Sequence, residues 1–118
     1  MKQPRLLIVE DEPHLKETWQ QMLEIFGHQA HFSKNGLEAT KALEKEQFDL
    51  IVTDIQMPVK DGYFVLDYIQ SKEIKSNVWV CTGQLAFDER LDAYSVDRVI
   101  FKPFNMLGLV QEIGDLFQ

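Results

Sequence analysis

Residues 48–62, which read Phe-Asp-Leu-Ile-Val-Thr-Asp-Ile-Gln-Met-Pro-Val-Lys-Asp-Gly, decide the fold of this chain. The apolar run at 50–52 predicts a strand that is buried on both faces of a parallel sheet. The strand ends at Asp54, and the Met57-Pro58 and Asp61-Gly62 pairs then interrupt regular structure. A carboxylate at the carboxyl end of a buried parallel strand lies where open α/β sheets bind their ligands. A single Asp after a strand more often only caps a turn, so the other strand ends decide between the two interpretations.

Length, charge and cysteine content limit the class of protein. A chain of 118 residues with 45% hydrophobic residues is expected to form one domain over residues 1–118, without an output domain. The net charge of −7 argues against a nucleic-acid-binding surface, which needs a basic footprint. No apolar run reaches membrane-spanning length, and the amino end lacks a signal-peptide core. The single cysteine, Cys81, cannot form an internal disulfide, which favours a cytoplasmic location.

Strand-like and helix-like segments alternate along the chain. The predicted strands cover residues 5–9, 29–32, 50–54, 78–82 and 96–101. The predicted helices begin near residues 13, 36, 62 and 107, and a short helix of weak periodicity covers about 87–94. Alternation with short connections predicts right-handed crossovers. The fold class is therefore α/β, with a doubly wound five-stranded parallel sheet and helices on both of its faces.

Polar side chains follow four of the predicted strands. Because the carboxyl ends of parallel strands lie along one edge, we expect Glu10, Asp11, Asp54, Thr82 and Lys102 to face a common crevice. Two carboxylates about 4 Å apart repel by roughly 4 kcal/mol at an effective dielectric near 20, so three of them favour a cation between them. Hard oxygen ligands suit Mg²⁺, while an ammonium and a hydroxyl suit phosphate oxygens. Each residue alone has an ordinary structural explanation, but the set predicts a nucleophilic carboxylate that acts on a phosphoryl group.

The chain resembles the receiver domains of two-component response regulators, including the chemotaxis regulators, over essentially its whole length. The resemblance is carried by these motifs, in this order: Leu7-Ile8-Val9-Glu10-Asp11-Glu12, Asn35-Gly36, Asp54-Ile55-Gln56-Met57-Pro58 with Asp61-Gly62, Thr82-Gly83, and Lys102-Pro103-Phe104. It implies the flavodoxin-like strand order 2-1-3-4-5.

The resemblance also implies a phosphoacceptor and a metal site. By this resemblance, Asp54 takes a phosphoryl group from the phosphohistidine of a histidine kinase or a histidine phosphotransfer protein. Mg²⁺ is held by Glu10, Asp11, Asp54 and the backbone carbonyl of Gln56. Such a protein is a signalling phosphoacceptor rather than an enzyme, since it catalyses only its own phosphotransfer and slow dephosphorylation.

Other parts of the family pattern concern the phosphoryl oxygens and the output surface. Lys102 is expected to pair with one phosphoryl oxygen and Thr82 to reorient toward another, and the peptide bond before Pro103 is expected to be cis. The face built by the fourth helix, fifth strand and fifth helix, from about Phe87 to Phe117, is where the family binds a downstream target, an output domain or a second copy.

Several positions depart from the family pattern. Glu10 stands where Asp is commoner, so its metal contact is expected to run through water. Val99 stands three residues before Lys102, at the position where the family usually has a switching aromatic ring. Phe101 lies on the same strand face as Val99. Gln56 and Gln84 occupy the positions that tune the lifetime of the phosphoryl group in this family.

Two other functions remain open at the level of the sequence. A Mg²⁺-dependent phosphohydrolase with an aspartate nucleophile usually needs a second acid two residues after the nucleophile, where this chain has Gln56. A degenerate receiver that serves only protein binding would be expected to lack the acidic pair, the acceptor or the lysine, and all of them are present.

Overall fold

The structure is a computed structural model that describes residues 3–83 and 89–118. The strands in these ranges are β1 (Leu6–Val9), β2 (Ala30–Ser33), β3 (Leu50–Asp54), β4 (Asn77–Thr82) and β5 (Arg98–Phe101). The helices are α1 (Pro13–Ile25), α2 (Gly36–Lys45), α3 (Gly62–Ser71), α4 (Met106–Leu116) and the short 3₁₀ helix η1 (Glu89–Ala93). The five strands form one parallel sheet in the order β2-β1-β3-β4-β5, which confirms the predicted fold class.

The segment between β4 and β5 differs most from the sequence prediction. A helix was expected over about 87–94, and η1 begins at Glu89 and ends at Ala93. Phe87 and Gln84 lie outside the described residues. The described part of this segment buries only Leu91, which explains why its hydrophobic periodicity was weak. Within the described ranges, no helix combines the length and the apolar character that a membrane span requires.

The side chains of the central strands alternate between two cores. The core between the sheet and helices α2 and α3 includes Leu7 and Ile51. The core between the sheet and helices α1 and α4 includes Ile8, Val52 and Trp19. Each fully buried aliphatic side chain contributes about 1.5–3 kcal/mol, so β1 and β3, which are buried on both faces, anchor the carboxyl edge of the sheet.

All four α-helices begin at this carboxyl edge, and each has a side chain that accepts hydrogen bonds from its first turn. The cap residues are Glu12, Asn35, Asp61 and Asn105. Such caps satisfy backbone N–H groups that have no partner inside the helix. Polar side chains and helix N-termini are therefore concentrated on one edge of the sheet.

Two glycines fix the connection between β3 and α3 next to this edge. The N–H of Gly62 donates to the carbonyl of Ile55 at 2.8 Å, and a Cβ atom at Gly62 would lie 2.3 Å from the carbonyl oxygen of Asp54. The N–H of Gly36 donates to the carbonyl of Lys60 at 2.8 Å, and a Cβ atom there would lie 2.6 Å from the same oxygen. Any larger residue at either position would push this connection away from the sheet.

The same connection contains two non-glycine residues in the left-handed region. Val59 has φ of 56° and Lys60 has φ of 79°. This conformation is unfavourable for a β-branched side chain and costs about 1–3 kcal/mol per residue. The side chain of Val59 is 62% exposed, so little burial offsets the cost.

Replacement of Val59 by Asn is expected to stabilise the protein. Asn adopts positive φ more readily than Val, so Val59→Asn should raise the free energy of unfolding by about 1 kcal/mol in urea denaturation. Val59→Ala is the matched control and should gain less, because it removes the β-branch but keeps Cβ. A Val59→Asn protein that is no more stable than wild type would contradict this account of the connection.

Candidate functional site

The strand ends hold the predicted site residues through backbone hydrogen bonds. Asp54 is the last residue of β3, and the following N–H, of Ile55, donates to the carbonyl of Cys81 at 3.0 Å. The N–H of Glu10 donates to the carbonyl of Ser33 at 2.9 Å. The N–H of Lys102 donates to the carbonyl of Thr82 at 2.9 Å. These bonds continue the sheet by one residue beyond each strand.

The structure brings three carboxylates and one ammonium together at this edge. Glu10, Asp11 and Asp54 each contribute a carboxylate oxygen, and these oxygens lie within 4.8 Å of one another. Glu10 is 4% and Asp54 5% exposed, whereas Asp11 is half-buried. The Nζ atom of Lys102 lies 2.7 Å from Oδ2 of Asp54 and 3.7 Å from Oε1 of Glu10. One positive charge therefore faces three negative ones.

This excess of negative charge changes the protonation of the site. Burial raises the pKa of Glu10 to about 7, and the charge of Asp54 adds to the effect. Burial also raises the pKa of Asp54, although the hydrogen bond from Lys102 opposes the change. Burial lowers the pKa of Lys102, but its hydrogen bond to Asp54 and the charges of Asp54 and Glu10 together outweigh burial and leave the pKa raised. Ionisation of the three carboxylates therefore lowers the stability of the folded protein as long as a single ammonium compensates their charge.

The donor set fits a hard divalent cation. Carboxylate oxygens at this spacing are ligands that Mg²⁺ prefers in proteins, with water in its remaining positions. Oε2 of Glu10 accepts a hydrogen bond from the N–H of Glu12 at 3.1 Å, which fixes the carboxylate. Glu12 itself is not part of the cluster, because its carboxylate caps α1 through the N–H groups of His14 and Leu15. Residues Glu10, Asp11 and Asp54 are therefore the candidate metal centre.

Other predicted site residues lie around this centre. Thr82 is 6% exposed and ends β4, where it is in register with Phe101 of β5. Gln56 is exposed and lines a cleft of about 550 Å³ beside the connection after β3. A metal contact from the Gln56 carbonyl stays a prediction. The Lys102–Pro103 peptide bond is cis, as the resemblance implies.

Two residues of β5, Val99 and Phe101, lie at or near the position where the family usually has a switching aromatic ring. Val99 is half-buried and packs against the core on the α2 and α3 side of the sheet. Phe101 is 47% exposed at the end of the strand. The aromatic ring closest in register to Thr82 is thus at the surface, whereas the usual switching position holds an aliphatic core residue.

The sequence interpretation missed a contact between α3 and η1. The guanidinium of Arg90 lies 3.6 Å from the ring centroid of Tyr63, and the hydroxyl of Tyr94 donates to Oδ1 of Asp67 at 2.6 Å. No local pattern could have indicated it, because the partners are far apart along the chain and belong to the segment with the weakest periodicity.

Comparisons with known proteins agree with this geometry. The family model described as "Response regulator receiver domain" matches residues 6–114. The transcriptional regulatory protein PcoR of Escherichia coli is 29% identical over 97% of this chain and 51% of its own length. The chain spans about half the length of the curated transcriptional regulators that it matches.

Solved structures with a similar fold include two that hold magnesium. The response regulator TrrA of Thermotoga maritima, in complex with Mg²⁺-BeF, is 28% identical with a TM-score of 0.82, over 96% of this chain and 98% of that one. The receiver domain of the sensor histidine kinase PA1611 of Pseudomonas aeruginosa, with a magnesium ion in its active-site cleft, is 25% identical with a TM-score of 0.83, over 95% and 94%.

The stability of the metal-free protein should depend on the charge of Glu10. Because its pKa is raised from 4.5 to about 7, the folded state favours the protonated form, and this contribution to stability is lost as the pH rises from 4.5 through 7. In EDTA, Glu10→Gln should therefore become increasingly more stable than wild type over this range in urea denaturation.

The exposed Glu44 on α2 provides a matched control, since Glu44→Gln should leave the pH dependence unchanged. A constant difference between Glu10→Gln and wild type from pH 4.5 to 8 would show that the cluster does not penalise the charge of Glu10.

Proposed function

Because the chain belongs to the response regulator receiver domain family, we propose that Asp54 accepts a phosphoryl group from the phosphohistidine of a histidine kinase or a histidine phosphotransfer protein. The observation that carries this proposal is the surroundings of the Asp54 carboxylate, which lies within 4.8 Å of carboxylate oxygens of Glu10 and Asp11 and 2.7 Å from the Nζ atom of Lys102. This arrangement combines a nucleophile, candidate metal ligands and a cationic group for a phosphoryl oxygen.

In the proposed transfer, a carboxylate oxygen of Asp54 attacks the phosphorus of the donor. The new P–O bond forms as the P–N bond breaks, and the bonding electrons go to the imidazole nitrogen, which takes up a proton. Lys102 already lies within hydrogen-bond distance of Asp54, so its ammonium is placed to pair with an oxygen of the arriving group. The hydroxyl of Thr82, at the adjacent strand end, is proposed to donate to a second oxygen.

Glu10, Asp11, Asp54 and the Gln56 carbonyl would hold Mg²⁺. When bound, the ion neutralises charge on the phosphoryl group. Without it, a dianionic group would have to approach three carboxylates, with Lys102 the one cation paired with them in the described ranges. The acidic cluster therefore makes phosphorylation dependent on the metal.

The proposed output surface is the face made of η1, β5 and α4. Its elements expose three large apolar side chains, Phe101 at 47%, Leu107 at 44% and Leu116 at 42%. Apolar side chains of this kind suit a downstream protein, an output domain or a second copy of the chain. The net charge of −7 favours a protein rather than a nucleic acid as the partner. A cytoplasmic location is proposed because the single cysteine is a free, buried thiol.

The direct test is incubation with Mg²⁺ and acetyl phosphate, followed by intact-mass measurement. Wild type should gain one phosphoryl group per chain, and Asp54→Ala should gain none. Asp92→Ala, an exposed aspartate of η1, is the control and should be modified like wild type.

The outcomes also separate the alternative functions. Rapid multiple turnover of unrelated phosphate esters would instead indicate a phosphohydrolase. Absence of both an adduct and Mg²⁺ binding would indicate a degenerate receiver that only binds protein. An adduct that persists in Asp54→Ala would contradict the assignment of the acceptor.

A further inference from the structure

A second cluster of side chains, outside the acidic centre, joins η1 to α3. We call Tyr63, Asp67, Arg90 and Tyr94 the aromatic clasp. The Arg90 guanidinium stacks 3.6 Å from the centroid of the Tyr63 ring, and the ring centroids of Tyr63 and Tyr94 are 6.2 Å apart. The Tyr94 hydroxyl donates to Oδ1 of Asp67 at 2.6 Å. A cation–π contact and a charge-assisted hydrogen bond thus link the two elements.

Apolar burial contributes little to the attachment of η1. Leu91 is the buried residue of η1, and at 6% exposure it is the contribution of η1 to the core. The Nε2 atom of Gln70 on α3 donates to the carbonyl of Ala93 at 3.1 Å. An element with so little apolar burial opens more easily than the rest of a domain, so its position is sensitive to small changes in its contacts.

The other end of the clasp lies next to the backbone of the acceptor residue. Tyr63 is 5% exposed and directly follows Gly62. The N–H of Gly62 donates to the Ile55 carbonyl at 2.8 Å, and the Gly62 backbone is so close to Asp54 that a Cβ atom would lie 2.3 Å from the Asp54 carbonyl oxygen. A displacement of the backbone at Asp54 therefore displaces the first turn of α3, which carries Tyr63.

We propose that the aromatic clasp transmits a change at Asp54 to η1 through the first turn of α3. The inference rests on the proposed function only for the event at Asp54, because the contacts themselves belong to the unmodified protein. It supplies a route that does not need a rotating ring at Val99, which is aliphatic and packs in the core. Tyr63 and Arg90 are positioning residues, since neither is among the residues proposed to contact the phosphoryl group.

Residue-resolved amide hydrogen exchange by NMR tests the route, with and without Mg²⁺ and beryllium fluoride as the phosphoryl analogue. In wild type, the analogue should change exchange over residues 89–94. In Arg90→Gln and Tyr63→Leu, exchange over these residues should already be about tenfold faster without the analogue, because each variant loses a contact that holds η1 in place. The response to the analogue should disappear in both variants. Because Arg90 is exposed, Arg90→Gln is not expected to perturb folding.

Two controls separate the route from general destabilisation. Tyr68→Leu changes the same residue type on the same helix outside the clasp and should keep the response. Asp67→Asn keeps an acceptor for the Tyr94 hydroxyl and should retain most of the response, whereas Asp67→Ala should reduce it. A full response in Arg90→Gln and Tyr63→Leu, or no response over 89–94 in wild type that has bound the analogue, would overturn the proposal.

Failure of the proposed function is distinguishable from failure of the clasp. If wild type binds no beryllium fluoride, the proposed function fails. Hydrogen exchange at the Gly62 amide of the untreated protein then tests the coupling through the clasp by itself. Because coupling is reciprocal, Arg90→Gln should speed exchange at Gly62 if the clasp joins η1 to the acceptor strand. Unchanged exchange at Gly62 would overturn the coupling.

Discussion

The repulsion among the carboxylates of Glu10, Asp11 and Asp54, only partly offset by Lys102, is the constraint on which the rest of the structure depends. The two cores and the backbone hydrogen bonds of the sheet hold these groups together although their charges oppose it. Burial is the largest cause of the raised pKa of Glu10 and of Asp54, and the charges of neighbouring carboxylates add to it. The fold thus keeps together three carboxylates whose repulsion a bound cation would relieve.

The parallel sheet makes such a site possible. Its strands end along one edge, and each contributing residue directly follows or completes a strand whose position the core fixes. The glycines at 36 and 62 then bring the connection after β3 close to the acceptor strand. As a result, contacts run from the acidic centre through the first turn of α3 and the aromatic clasp to η1. The proposed signalling role uses these contacts, because a charge added at Asp54 would have to alter a surface some distance away.

Much of the fold and the position of the site could be predicted from the sequence. The apolar runs at 6–9 and 50–52 are short but continuous, and acidic residues follow them, so they predicted buried parallel strands. Hydrophobic periodicity predicted the helix between Thr82 and β5 only weakly, because η1 buries a single leucine. Stacking and hydrogen bonds hold η1 instead. The left-handed conformation of Val59 was equally unpredictable, since a β-branched residue carries no local preference for it.

The most direct test of the central claim compares the thermal stability of wild type and Asp54→Asn in EDTA and in saturating Mg²⁺. Because the pKa of Asp54 is raised, removal of its charge should stabilise the metal-free protein at neutral pH. With Mg²⁺ the order should reverse, since wild type keeps one more anionic ligand for the ion. If wild type is the more stable protein in EDTA, or if Mg²⁺ stabilises both proteins equally, the carboxylates do not form a metal site in which the ion relieves charge repulsion.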